Sequence, residues 1–194
     1  MNAFRDQYKP ESTRLQGWDY SEGDGYFVTI YTRDRKLSFG KVVNSTVELT
    51  ALGRVAYEYW KEIPDHHDGV VIDEFVIMPN HVHGIIFLYP QITSTIPYNT
   101  VETLHATSLQ SNVSKKMSRI SPRKGSLCAV IRSYKSAVSR RAHQNGYNHF
   151  QWQPRFYDHI IRDNSALVKI RSYIRNNPIQ WELDHFYSSA SQQS

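Results

Sequence analysis

VVIDEFVIMPNHVHGIIFLYP, residues 70 to 90, is the stretch whose reading decides the fold. Two β-branched, apolar runs flank Met78-Pro79-Asn80, so the stretch predicts a hairpin whose return strand begins with His81 and His83. Side chains alternate faces along a strand, which points both imidazoles the same way and turns Val82 to the opposite side. That arrangement suits a divalent metal. It equally suits an ordinary polar sheet surface, and the rest of the chain has to decide between them.

Working outward toward the N-terminus, GYFVTIYT (25 to 32) reads as a first strand and RDRKLSFG as a turn or loop. From Thr46 to about Lys61, Val47, Leu49, Leu52, Val55, Ala56 and Tyr59 recur at mostly helical spacing, and Pro64 with Asp68-Gly69 ends that helix. Beyond the hairpin, residues 91 to 126 carry many Ser, Thr and Asn and few large apolar residues, which predicts a mobile connection. A second helix runs from Leu127 to about Asn145, with Leu127, Val130, Ile131, Tyr134, Ala137 and Val138 as its apolar stripe and Gly146 as its stop. FQWQPRFYDHIIR (150 to 162) reads as a strand entered through Pro154. Asp163 or Asn164 then caps a helix from Ser165 to about Asn177, ended by Pro178. The order predicts an α+β fold: a ferredoxin-like βαββαβ antiparallel sheet with one additional C-terminal helix.

At 194 residues and 40% hydrophobic content, the chain has material for one domain spanning 1–194, with a mobile linker and short flexible termini. No apolar run reaches the roughly 20 residues of a membrane helix, and the N-terminus lacks the apolar segment of a signal peptide, so a cytoplasmic location is expected. Cys128 is the single cysteine, which excludes an internal disulfide and a multi-cysteine zinc site. The formal charge is +5, and the cations concentrate in the second half, at Lys115, Lys116, Arg119, Arg123, Lys124, Arg132, Lys135, Arg140 and Arg141, then from Arg155 to Arg175. Such a distribution favours an acidic polymer as partner; solvated helix faces would give the same pattern.

The last helix, SALVKIRSYIRNNP, buries a stripe of Leu167, Ile170 and Ile174, and sets Tyr173 and Asn177 one turn apart on a neighbouring edge with Lys169 a turn earlier. A phenol, an amide and an ammonium thus share one side of the helix. A half-buried tyrosine among solvated neighbours would read the same way.

The sequence resembles the single-tyrosine HUH transposases, most closely the REP-associated tyrosine transposase (RAYT) branch. The similarity runs through RLQGWDYSEGDGYFVTIYT (14 to 32), FVIMPNHVHGIIF (75 to 87), IRSYKS (131 to 136) and WQPRFYDHIIRDNSALVKIRSYIRNNP (152 to 178). The resemblance implies that His81 and His83 bind a divalent metal, Mg²⁺ or Mn²⁺, and that Tyr173 is the nucleophile. Asn177 stands where the family carries a third polar ligand, often glutamine. The implied partner is single-stranded or hairpin DNA, engaged by a monomer or homodimer. The implied reaction cleaves and rejoins strands beside hairpins through a 5′-phosphotyrosine, leaving a free 3′ hydroxyl. Such chemistry needs a nucleophile, a cation to polarise the phosphoryl oxygens and an in-line approach. A tyrosine of pKa about 10 also needs help to ionise, from the metal or from Lys169.

Tyr157 is the rival nucleophile, sharing a strand face with His159. His66 and His67, beside Asp65 and Asp68, read as polar residues of an exposed turn. Arg132, Lys135, Arg140 and Arg141 are candidate phosphate contacts, and Arg14 with Trp18 candidates for base recognition or stacking. Two other classes remain: a domesticated, non-cleaving binder of structured DNA, and a metal-dependent RNA-binding protein or nuclease with no covalent step.

Overall fold

A computed structural model describes residues 25–89 and 125–181. The connection expected at 91 to 126 lies outside these residues except for Gly125 and Ser126, and Arg14 and Trp18 lie outside them as well.

The main sheet contains β1 (Gly25–Tyr31), β4 (Val70–Ile77), β5 (His81–Leu88) and β6 (Tyr157–Ile161), in the order β4-β5-β1-β6 with every pair antiparallel. A second, two-stranded ribbon pairs β2 (Gly40–Val43) with β3 (Thr46–Leu49). The helices are α1 (Ala51–Lys61), the short α2 (Ile63–His66), α3 (Leu127–Gln144) and α4 (Asn164–Gln180). Within the sheet, β1-α1-β4 and β5-α3-β6 are interleaved βαβ units, the ferredoxin-like arrangement that the hairpin predicts.

Strand alternation divides the sheet into two unlike faces. Tyr26, Val28 and Ile30 of β1 with Val82, Ile86 and Leu88 of β5 form one face, buried under α1 and α3 through Leu52, Ala56, Trp60, Val130, Ile131, Tyr134 and Val138. This is the main core. Phe27 and Ile85 belong to the other face, where a smaller cluster with Ile161 is covered by Ile170 and Ile174 of α4. His81 and His83 share the parity of Ile85, so they lie under α4 and not under α3.

Three expectations are corrected. The helix expected from Thr46 starts at Ala51, because Thr46–Leu49 is a strand. Asn44 and Ser45 both take positive φ, 50° and 60°, which closes a tight hairpin turn and lets Val42 face Val47. Thr50 then caps α1, its hydroxyl accepting from Gly53 N at 3.0 Å. Second, the strand expected over 150 to 162 is regular only from Tyr157 to Ile161. Upstream, Trp152 makes one isolated bridge to Thr32 and buries its ring in the core, and Pro154 has no N–H for a ladder. Third, Pro178 does not end α4, which continues to Gln180. The adjoining Trp181 is buried 5.9 Å from the His81 ring, so the final turn is held by packing, and a proline so near the end costs few helical bonds.

Candidate active site

The histidine pair is oriented from the turn before β5 and from the neighbouring strand β1. Thr32 is buried, and its N–H and hydroxyl both donate to Asn80 O, at 2.9 and 3.0 Å, fixing the turn before β5. The Asn80 carboxamide oxygen lies 2.6 Å from His81 Nδ1, which makes Nδ1 the donor and leaves the Nε2 lone pair free. On β1, Thr29 is the register partner of His83, and its hydroxyl lies 2.8 Å from His83 Nδ1. The two rings stand 4.4 Å apart between centroids.

Helix α4 supplies the remaining groups. The Tyr173 hydroxyl is 3.4 Å from His83 Nε2, and its ring packs edge-on against Phe27 at 5.9 Å. The phenol remains 44% exposed, open to a substrate. One turn later Asn177 is buried, and its Oδ1 forms no hydrogen bond; the same is true of His81 Nε2. Burial, then electrostatic repulsion from His83 and Arg35 toward a protonated His81, hold His81 well below the usual histidine range, against a smaller opposing effect of Asn177. Asn177 therefore lies close to His81 even though no hydrogen bond of full geometry closes between them. Burial alone takes His83 down to about 3. Both imidazoles are neutral near pH 7 and offer lone pairs, not charge.

Unsatisfied buried polar atoms are costly, and two of them at one place fit a site built for a cation. Among the described residues no group of three or more His, Cys, Asp or Glu side chains is placed to hold a metal. The groups gathered here are instead two imidazoles and one amide oxygen, those that the family resemblance implies as ligands. Nitrogen donors of this kind suit manganese better than magnesium.

The other candidates are placed elsewhere. Tyr157 is exposed on β6 and pairs with Thr29, two strands from His83 and so about 10 Å away between backbones. Lys169 is exposed on α4, one turn before Tyr173. Arg132, Lys135, Arg140 and Arg141 all lie on α3, across the sheet from the histidines. Arg132, Arg140 and Arg141 line a groove together with Ser133, Ser136 and Ala137. Lys135 has a structural task, donating to the carbonyls of Gln153 at 2.5 Å and Pro154 at 3.4 Å. His66 ends α2 and His67 follows it, and His66 lines the same groove as Arg132, Arg140 and Arg141.

Several site residues escaped the sequence reading. Thr29 and Asn80 carry no motif of their own, and only the β1–β5 register brings Thr29 to His83. Arg35 lies over the Tyr31 ring at 4.6 Å, and Tyr31 in turn meets the His81 ring at 5.2 Å. Asp73 and Glu74 stand where the β4–β5 register slips: Ile72 faces Ile86 but Phe75 faces Gly84, leaving two residues opposite Ile85. Arg171 bonds Asp73 at 2.7 Å, and Arg175 bonds Glu74 through Nε at 2.9 Å. A signal existed, since the core-facing apolar positions Val70, Ile72, Phe75 and Ile77 break strict alternation once.

No family model matches the chain. It is 36% identical over 179 residues to a Haemophilus influenzae (strain Rd) protein described only as uncharacterized, covering 91% of this chain and 92% of the relative. Among solved structures it is similar to a REP-associated tyrosine transposase bound to a REP hairpin, with a TM-score of 0.53 and 17% identity over 87% of this chain and 73% of that one. The shared feature is the fold.

Proposed function

We propose that this chain, which belongs to one family with the Haemophilus influenzae protein and has the fold of a REP-associated tyrosine transposase, is a DNA transposase that cleaves and rejoins single-stranded DNA beside a hairpin. The observation that carries the reading is the approach of the Tyr173 hydroxyl to His83 Nε2 at 3.4 Å, beside the unpartnered His81 Nε2 and Asn177 Oδ1.

His81, His83 and Asn177 would hold a divalent cation, which when bound supplies charge to polarise a phosphoryl group. Tyr173 is the nucleophile: its oxygen forms a bond to phosphorus as the bond to the 3′ oxygen breaks, the phenolic proton leaves, and the departing 3′ oxygen takes one up. The product is a 5′-phosphotyrosyl strand and a free 3′ hydroxyl. Because the phosphoester is conserved in the link, a second 3′ hydroxyl can reverse the step without ATP. Phe27 holds the phenol edge-on while the exposed side of the ring admits the strand. Asn80 and Thr29 orient the imidazoles, a role comparable to the outer hydrogen bonds of other histidine ligands. Arg132, Arg140 and Arg141, on the opposite side of the sheet, would contact phosphates outside the cleaved segment.

Incubation with end-labelled hairpin DNA from the repeats flanking the gene, with Mn²⁺, should give a covalent protein–DNA species. Tyr173→Phe removes one oxygen and should abolish that species while hairpin binding persists; Tyr157→Phe should retain it. An adduct in Tyr173→Phe but not in Tyr157→Phe would reassign the nucleophile. Absence of an adduct in the wild type would favour a non-cleaving hairpin binder.

A further inference from the structure

Helix α4 presents two residue pairs at four-residue spacing. Tyr173 and Asn177 point toward the histidines, and Arg171 and Arg175 point toward the edge strand β4. At about 100° per residue, the arginines lie about 200° from Tyr173 around the axis. Between them Ile170 and Ile174 rest on a small seat, whose buried members among the described residues are Ile85, Ile161 and Ile174. Apolar burial is non-directional, so this seat holds α4 to the sheet and fixes its rotation only to within the width of the apolar stripe. A rotation by one residue would take the phenol away from His83.

The rotation is fixed at the β4 bulge. A regular strand would put Asp73 on the α4 face and Glu74 in the main core; the inserted residue puts both carboxylates on the α4 side. Arg171 directs both Nε and an Nη at one oxygen of Asp73, each at 2.7 Å. Arg175 does the same to Glu74 Oε1. Forked guanidinium–carboxylate contacts are directional in a way that apolar contacts are not.

We propose that Asp73 and Glu74 are positioning residues that, through Arg171 and Arg175, set the rotation of α4 and thereby seat Tyr173 against His83. The inference rests on Tyr173 being the nucleophile. The pairs are partly or largely solvent-exposed, Arg175 by 61% of its side chain, so they contribute little to folding stability and their effect is on placement.

The test compares wild type, Asp73→Asn/Glu74→Gln, and a charge-swapped variant combining Asp73→Arg and Glu74→Arg with Arg171→Asp and Arg175→Glu. Without DNA, nuclear Overhauser contacts between the Tyr173 and His83 rings should weaken in the neutralised variant and return in the swapped one, with the melting temperature of the neutralised variant nearly unchanged. With saturating hairpin DNA and Mn²⁺, single-turnover adduct formation should fall roughly tenfold or more in the neutralised variant, with hairpin affinity kept, and recover on swapping. Unchanged ring contacts and rate in the neutralised variant would overturn the proposal. A loss that the folded, swapped variant does not recover would also overturn it, because the charges would not then act through their pairing. If the wild type forms no adduct, the transposase reading fails, and the ring contacts alone still decide whether the carboxylates set the helix.

Discussion

Asn80 sits in the turn that the sequence marks only as a break, yet its carboxamide decides which nitrogen of His81 carries the proton. With Nδ1 committed to Asn80, Nε2 is left buried and unpaired, a cost that the proposed cation would recover on binding. Asn80→Ala releases the ring and should weaken Mn²⁺ binding by about 10-fold or more, as loss of an outer hydrogen bond to a histidine ligand typically does. Titration calorimetry with Mn²⁺ alone, at unchanged far-ultraviolet circular dichroism, checks this without reference to DNA. Equal affinity in the variant would mean that packing, not Asn80, orients His81.

Among the elements, β5 must serve two faces at once. While His81 and His83 face α4, Gly84 faces α1, and a Cβ built there would collide with Cζ2 of Trp60. Trp60 is fully buried and packs edge-on with Tyr134, whose hydroxyl donates to Ala56 O at 3.0 Å, so the indole cannot retreat freely. Gly84→Ala should therefore destabilise the fold by about 1–3 kcal/mol, the usual cost of overpacking a filled core. Chemical denaturation should show a lower midpoint at unchanged slope. An unchanged midpoint would mean that α1 can shift outward at no cost.

Across the whole molecule, the sheet separates the arginine-lined groove on α3 from Tyr173 on α4. Substituting Arg132, Arg140 and Arg141 by glutamine should lower hairpin affinity and flatten its salt dependence, by up to about one unit of log–log slope for each phosphate no longer neutralised. The single-turnover cleavage rate at saturating DNA should be unchanged, because none of the three lies on the face that carries Tyr173. Lys135→Gln should behave differently, costing stability by freeing the Gln153–Pro154 segment. Filter binding at several salt concentrations and thermal melts separate the two behaviours; a uniform drop in affinity with no stability change in Lys135→Gln would return it to the phosphate-binding set.

Two apolar runs about Met78-Pro79-Asn80 were enough to predict the hairpin, and strand alternation to align His81 with His83, since both are local properties of the chain. The ends of elements were less legible. Thr46–Leu49 carries Val47 and Leu49 two apart, a strand spacing, but Leu49 also continues the helical series of Leu52, Val55, Ala56 and Tyr59, and the pairing with β2 made it a strand. The resemblance named Tyr173, His81, His83 and Asn177 together, but it could not say how they meet. That required the register that brings Thr29 to His83, the bulge that turns both carboxylates toward α4, and the packing of Trp181 that carries the helix beyond Pro178. The sequence by itself determined the order of the main-sheet strands and of the three long helices, because propensity and periodicity are written locally, while the β2–β3 ribbon escaped it. The faces on which the site residues stand, with α4 over the histidines and the arginines of α3 behind them, were decided by tertiary structure, because register and helix docking depend on contacts between residues far apart in the chain.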